Sequence, residues 1–338
     1  MKIKRGKKLL LLAIVMGFSC FAMAQQEPQF TQYIFNRMSY NPGYAGSSGS
    51  ICASFMYRNQ WMGLKLDAAK PGADAGSVPV DYLFTIDFPV KFLHGGLGLT
   101  TTSDKIGYRN YVAVNLDYAF RMFWGPGNLS AGVEANLVNY FFNFQNLIGT
   151  DDQTGGYGSY GTSSDPLLRH IDTSAFLIDV SVGAYYQVPG QYWLGLSVKN
   201  LLGARDENVH FKHARTAYAM GGFEYTPSVA PSYRIKPSFL LKTANLSTFQ
   251  ADLTCVIDYR NFVWGGLSYR VQDAISVLGG VRWKKLSVGL AYDMTVSKLG
   301  TFKSGRSFGT IEAYLKYCFK IVVPVKPPTS YGNTIYLL

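Results

Sequence analysis

Four histidines, His94, His170, His210 and His213, are where any acid–base or metal chemistry in this chain would have to start. His210-x-x-His213 has a spacing that suits a metal pair on a helix, yet it falls in polar sequence with no cysteine or acid placed as a further ligand. It reads as part of a solvated loop. A hydrolase could draw on His170, His210 and His213, but a Ser-His-Asp set can be assembled from almost any composition, and no spacing here singles one out. Gly95-Gly96 and Gly265-Gly266 lack the Lys-Ser/Thr that follows a phosphate loop; within strands they ease curvature and close packing. Cys52, Cys255 and Cys318 allow at most one bridge and an orphan, none lies in a C-x-x-C, and they read as small wall residues. The expectation is no catalytic, cofactor or metal site.

The charged residues are more informative for where they sit. Phe176, Ile178, Val180, Val182, Ala184 and Tyr186 alternate with Leu177, Asp179, Ser181, Gly183, Tyr185 and Gln187, the period of a strand with unlike faces. The same alternation recurs in fourteen stretches, from 50–60 and 80–88 through 95–103, 109–121, 129–142, 173–187, 190–199 and 215–226 to 286–296 and 308–320. In each, one face stays free of charge. Asp87, Asp117, Arg121, Glu134, Asp179, Lys199, Glu224, Lys236, Lys242, Asp252, Asp258, Arg270, Arg282, Asp293, Glu312 and Lys316 all fall on the other. An Arg or Lys facing lipid at mid-depth costs roughly 2–4 kcal/mol, which is reason enough for one face to exclude it. Most stretches are long enough to cross hydrocarbon at a tilt, and in lipid a sheet must close on itself. The fold class is therefore all-β, an outer-membrane transmembrane β-barrel of about fourteen antiparallel strands.

Composition agrees. Charged residues are 16% of the 338, well under the roughly 25% of soluble domains, and aromatics reach 15%. Residues 1–24 read as a signal peptide, with Lys2, Lys4, Arg5, Lys7 and Lys8 ahead of an apolar run and Ala22-Met23-Ala24 as the cleavage signal. Five of the charges behind the formal +11 belong to that leader, so little remains to suggest nucleic acid as a partner. Residues 25–49 read as a periplasmic N-terminal segment, 50–320 as the barrel and 321–338 as a Pro-rich C-terminal tail. Odd-numbered connections are the longer ones, up to the stretch 143–172, as expected if they face outward and both ends of the barrel face the periplasm.

A barrel of this strand number is wider than side chains alone fill, so either something plugs it or it conducts. Two stretches are not wall. Gln25 to Ser47 holds Phe30, Tyr33, Phe35, Asn36, Asn41, Pro42 and Tyr44, which suit filling the lumen or docking on a partner. Val323 to Leu338 ends on Ile335-Tyr336-Leu337-Leu338 after three prolines, with Tyr336 and Leu338 as candidate ligand positions for a neighbouring protein.

The block Gln25-x-x-Pro28-x-Phe30-x-Gln32-Tyr33-x-Phe35-Asn36, followed by Asn41-Pro42-Gly43-Tyr44-Ala45-Gly46-Ser47, resembles the type IX secretion system membrane proteins of the PorP/SprF family of Bacteroidetes. Arg58-x-Gln60-Trp61-x-Gly63, Ser103-Asp104-Lys105-Ile106-Gly107, Trp264-x-Gly266-x-Ser268-Tyr269-Arg270 and Ala291-Tyr292-Asp293 extend the resemblance along the chain. Gly43 stands where the family typically has alanine, and Ser307 to Glu312 departs from its usual Gly-Ser-His-Glu. The resemblance implies a non-enzymatic outer-membrane protein of type IX secretion or gliding motility, without cofactor. Its implied partners are periplasmic ring lipoproteins, a peptidoglycan-binding linker protein or a secreted surface adhesin, besides outer-membrane lipid. The alternative reading is a general porin or small-solute channel.

Overall fold

The computed structural model describes residues 28–62, 78–107, 109–142, 173–206, 211–296 and 309–320. The leader, the 143–172 loop with His170, His210, and the tail with Tyr336 and Leu338 lie outside the described residues. Fourteen antiparallel strands close into one barrel. In chain order they are β1 (Ser50–Asn59), β2 (Val80–Val90), β3 (Gly95–Ile106), β4 (Arg109–Trp124), β5 (Gly127–Phe142), β6 (Thr173–Val188) and β7 (Tyr192–Lys199). After a two-stranded hairpin, β8 (Arg205–Asp206) and β9 (Phe211–Lys212), the wall continues with β10 (Thr216–Phe223), β11 (Tyr233–Ala244), β12 (Thr248–Tyr259) and β13 (Val263–Arg270). It ends with β14 (Ala274–Trp283), β15 (Leu286–Thr295) and β16 (Thr310–Lys320). Each wall strand pairs with its neighbour in sequence, and β16 returns to β1 over ten residue pairs.

Several boundaries differ from the alternation. β4 and β5 run on to a two-residue turn at Gly125-Pro126, where Gly125 takes a left-handed φ of 56° that a side chain rarely adopts. β10 stops at Phe223 rather than 226; beyond it Tyr225 keeps a single bridge to Ile235 ahead of Pro227. β3 continues past Ser103 to Ile106, because Asp104 points inward beside Arg109 rather than ending the strand.

The faces are unlike in the way lipid demands. Phe176, Ile178, Leu194, Leu196, Leu253, Leu267 and Leu290 are exposed on the outside. Asp87, Asp117, Glu134, Asp179, Lys199, Lys242, Asp252, Asp258, Arg270, Asp293 and Glu312 are buried inside. Exposed Phe123, Trp124, Phe223, Tyr225, Phe262 and Trp283 ring the end where β4–β5, β10–β11, β12–β13 and β14–β15 turn, as an interfacial aromatic girdle does.

Cys52 and Cys318 do not remain separate wall residues. They face each other in register across β1 and β16, with Cα atoms 4.1 Å apart, and form a disulfide. Two thiols of an even, unremarkable spacing gave no sign of this, because only barrel closure brings positions 266 residues apart together. Cys255 is free and exposed on the outer face.

Candidate functional site

The barrel interior is occupied by the chain's own residues 28–49, which lead into β1. The segment has no regular periodicity, only two short 3-10 turns, Tyr33–Phe35 and Pro42–Tyr44, so its backbone groups need partners from elsewhere. The wall supplies them. At the end away from the short turns, Glu312 accepts the backbone N–H groups of Thr31 and Gln32, each at 2.8 Å. The Thr31 hydroxyl donates to Asp293 at 2.8 Å, and Gln29 Nε2 donates to Asp252 at 2.8 Å. Three inward carboxylates thus hold three residues of this stretch, Gln29, Thr31 and Gln32. Arg58 and Arg270 hold the carboxylates in turn: Arg58 lies 3.0 Å from both Asp293 and Glu312, and Arg270 lies 3.2 Å from Asp252. All five of these charged side chains are buried, so solvent cannot stand in for any of them.

Lower in the lumen the contacts turn aromatic. Phe35 stacks between Trp264 and Tyr314, with centroids 4.5 and 5.1 Å away. Tyr33 shares a hydrogen bond of 3.1 Å with Ser238, and Tyr40 packs edge-on against Tyr218. Burial pushes the Tyr33 and Tyr44 phenols up to about 12, which keeps both neutral at ordinary pH. The Arg37 guanidinium lies 3.8 Å above the Trp193 ring and donates to the Tyr185 hydroxyl at 2.8 Å, a buried cation held by a π face and a phenol.

Toward the end that carries the β4–β5 and β6–β7 turns, the choice of Asn41 becomes explicable. Its amide donates both hydrogens, to Ala184 O at 3.0 Å and Leu196 O at 3.2 Å, while its oxygen accepts from Gly43 N at 2.8 Å. No other small side chain offers two donors and an acceptor at one point. Pro42 opens the following turn, where its fixed φ is useful. Wall glycines make the approach possible. A Cβ on Gly132 would overlap Gly43 N, one on Gly96 would overlap Ala45 O, and one on Gly98 would overlap Met38 Sδ. Gly46, with φ of 67°, ends the run; its N–H donates to Asp87, and Arg121 donates to Gly46 O, Ala45 O and Ser47.

Of the residues singled out in the sequence, Phe30, Tyr33, Asn36, Asn41 and Pro42 are buried inside the barrel, with Phe35 and Tyr44 packed against the same interior clusters. The residues that meet them, Glu312, Asp293, Arg58 and Asn41's carbonyl partners, are scattered across the chain, and alternation marked only their inward direction. Beside the segment there remain a cavity of about 30 Å³ next to Tyr40, Asn115 and Lys199, and one of about 150 Å³ next to Phe35, Arg37 and Lys236.

His213 corrects an expectation. It is buried rather than solvated, with Nε2 3.0 Å from the Tyr140 hydroxyl and Nδ1 3.5 Å from Asp179. The loop is drawn in because Asp179 also accepts the N–H groups of Leu202 and Ala204, both at 2.9 Å. No cluster of three or more His, Cys, Asp or Glu side chains able to hold a metal exists among the described residues.

The luminal segment and the wall around it both fall within the stretch that a family comparison matches. The model of the type IX secretion system membrane protein PorP/SprF family matches residues 22–317. The chain belongs to that family. A PorP/SprF protein is a membrane component of type IX secretion and resides in the outer membrane, and the family is not one of known enzymes. No curated protein matches the sequence of this PorP/SprF chain. Among solved structures, a deletion mutant of the TodX monoaromatic hydrocarbon channel is similar at 10% identity and a TM-score of 0.48, covering 84% of this chain and 94% of its own. The CymD monoaromatic hydrocarbon channel is similar at 12% identity and 0.46, covering 91% and 97%. A FadL homologue of Pseudomonas aeruginosa follows at 12% and 0.42, covering 86% and 94%.

Proposed function

We propose that this PorP/SprF protein is a plugged, non-conducting barrel that works as an outer-membrane anchor for protein partners. Those partners are periplasmic components of the secretion or gliding machinery, or a secreted surface adhesin. The observation that carries the reading is the luminal segment: it is bound to strands from β1 round to β16 by carboxylates, aromatic rings and close glycine contacts. A lumen spent on its own chain leaves the rims and loops as the surfaces through which the protein acts. Family membership supports partners drawn from the secretion machinery.

Two measurements test this together. In planar bilayers the purified full-length protein is expected to be electrically silent, whereas a stable open conductance would return the reading to a porin or small-solute channel. Affinity purification from membranes in mild detergent is expected to recover a secretion-machine component or a surface adhesin. Recovery of neither, from correctly folded protein, overturns the anchoring role.

A further inference from the structure

We propose that the wall beside the luminal segment contains an all-oxygen cation site of the calcium class, centred on Asp117 and Glu134. These residues face each other directly across β4 and β5. Both are buried, and no donor reaches any of their four carboxylate oxygens. Burial of two carboxylates without hydrogen-bond donors and with a single lysine nearby is strongly unfavourable, so the site asks for a partner. Lys199 supplies part of the charge at 3.5 Å from Glu134 Oε1, but its ammonium is hydrogen-bonded at 3.0 Å to the Ser39 carbonyl of the luminal segment.

The neighbouring row of inward side chains points to the ligand independently. Thr100, Asn115 and Asn136 lie side by side on β3, β4 and β5, one inward position further along the wall. They are 1%, 5% and 2% exposed, and Thr100 Oγ1, Asn115 Oδ1 and Asn136 Oδ1 have no hydrogen-bond partner. Asn136 donates its amide hydrogens to Ser181 and Asn200, which leaves its oxygen as the atom without a partner. A proton shared by the two carboxyls would satisfy one oxygen pair and leave the amide and hydroxyl oxygens as they are. A hard cation satisfies oxygens of both kinds, and calcium accepts six to eight such ligands in flexible geometry, water included. A cavity of about 30 Å³, which borders Asn115 and Lys199 but neither carboxylate, exceeds the roughly 10–15 Å³ that one water requires and can hold a water beside the group. Histidine and cysteine are absent from the group, which disfavours zinc and copper. A divalent ion balances the two carboxylates, and Lys199 is then left to hold Ser39. The ion would therefore sit where β3–β5 meet the turn at Met38–Tyr40.

The test uses full-length protein, purified in detergent, stripped with chelator and desalted. Terbium luminescence sensitised by tyrosine is the probe, displaced by calcium, with thermal unfolding followed in calcium, magnesium and chelator. The expected result is saturable terbium binding displaced by calcium, and a rise of the unfolding midpoint in calcium above that in magnesium. Asp117→Asn and Glu134→Gln should each weaken the displaceable binding at least tenfold. Asn115→Ala and Thr100→Val, milder changes that keep both carboxylates, should weaken it several-fold and so serve if the first pair does not fold. Absence of displaceable binding in folded protein overturns the site, as does binding that all four variants retain unchanged. A midpoint that responds to pH but not to calcium would assign the pair a shared proton and equally overturn it.

Discussion

Replacing Arg58 with methionine keeps most of the side chain's length and removes the charge that two luminal carboxylates share. Arg58 lies 3.0 Å from Asp293 and from Glu312 and donates to the Thr31 hydroxyl at 3.2 Å, with the ionic side chains at most 3% exposed. After the change, the nearest remaining cation is Arg270, 4.0 Å from Asp293 and already committed to Asp252 at 3.2 Å. Breaking a buried pair from one side costs about 3–5 kcal/mol, because the surviving charges remain in low dielectric. Of the two carboxylates left exposed to this cost, Glu312 accepts the Thr31 and Gln32 amides and Asp293 the Thr31 hydroxyl, so the loss should appear as local release of residues 29–33 while the wall stays closed. At about 1.4 kcal/mol per decade, amide exchange there should speed up by roughly a hundred- to several-thousand-fold. Hydrogen–deuterium exchange by mass spectrometry reads this directly, with peptides from β5 and β6 as internal controls. Protection at Thr31 and Gln32 within about tenfold of the parent, in a barrel that is otherwise folded, would refute the idea that this charge network holds the segment.

Gly132→Leu should displace Gly43 and Pro42, since even a Cβ overlaps the segment there; overpacking of about 1–3 kcal/mol is expected, read as raised bilayer conductance or influx of a bulky solute. Asn41→Asp turns two donors into acceptors facing the Ala184 and Leu196 carbonyls, and should cost more than Asn41→Ala; a thermal melt of each variant checks the order. Cys52→Ser, alone or with Cys318→Ser, should lower the unfolding midpoint in detergent by an amount that reduction reproduces in the parent, with up to about 5 kcal/mol from loop closure. Equal midpoints with and without reductant would show the seam holding by its strand pairing alone.

The wall was legible because its cause is local. Lipid penalises charge on one face of every strand, so Asp117, Asp179, Asp252 and Glu312 announce their direction through their immediate neighbours. The interior was legible only as a requirement that something occupy it or that it conduct. What satisfies Gln29, Thr31 and Gln32 lies more than 220 residues away in sequence, and no local periodicity records it. A glycine illustrates the same limit: Gly96 read as relief for strand curvature and close packing, yet its lack of a side chain is what admits Ala45. His213 misled for the opposite reason. A polar neighbourhood suggested solvent, whereas Asp179 and Tyr140 at the strand ends gather the loop inward.

The bridge between Cys52 and Cys318 bears on the order in which the molecule is made. The luminal segment precedes β1, and β1 meets its second partner only when β16, the last strand of the wall, arrives. A segment seated while the cylinder is still open would offer its wall contacts as a template around which the sheet curls. Sulfur chemistry comes last, since the two cysteines become neighbours only at the joined seam. Oxidation of that pair is then a covalent record that assembly has finished with the guest inside, and it bars the same seam from serving later as a sideways exit into the bilayer.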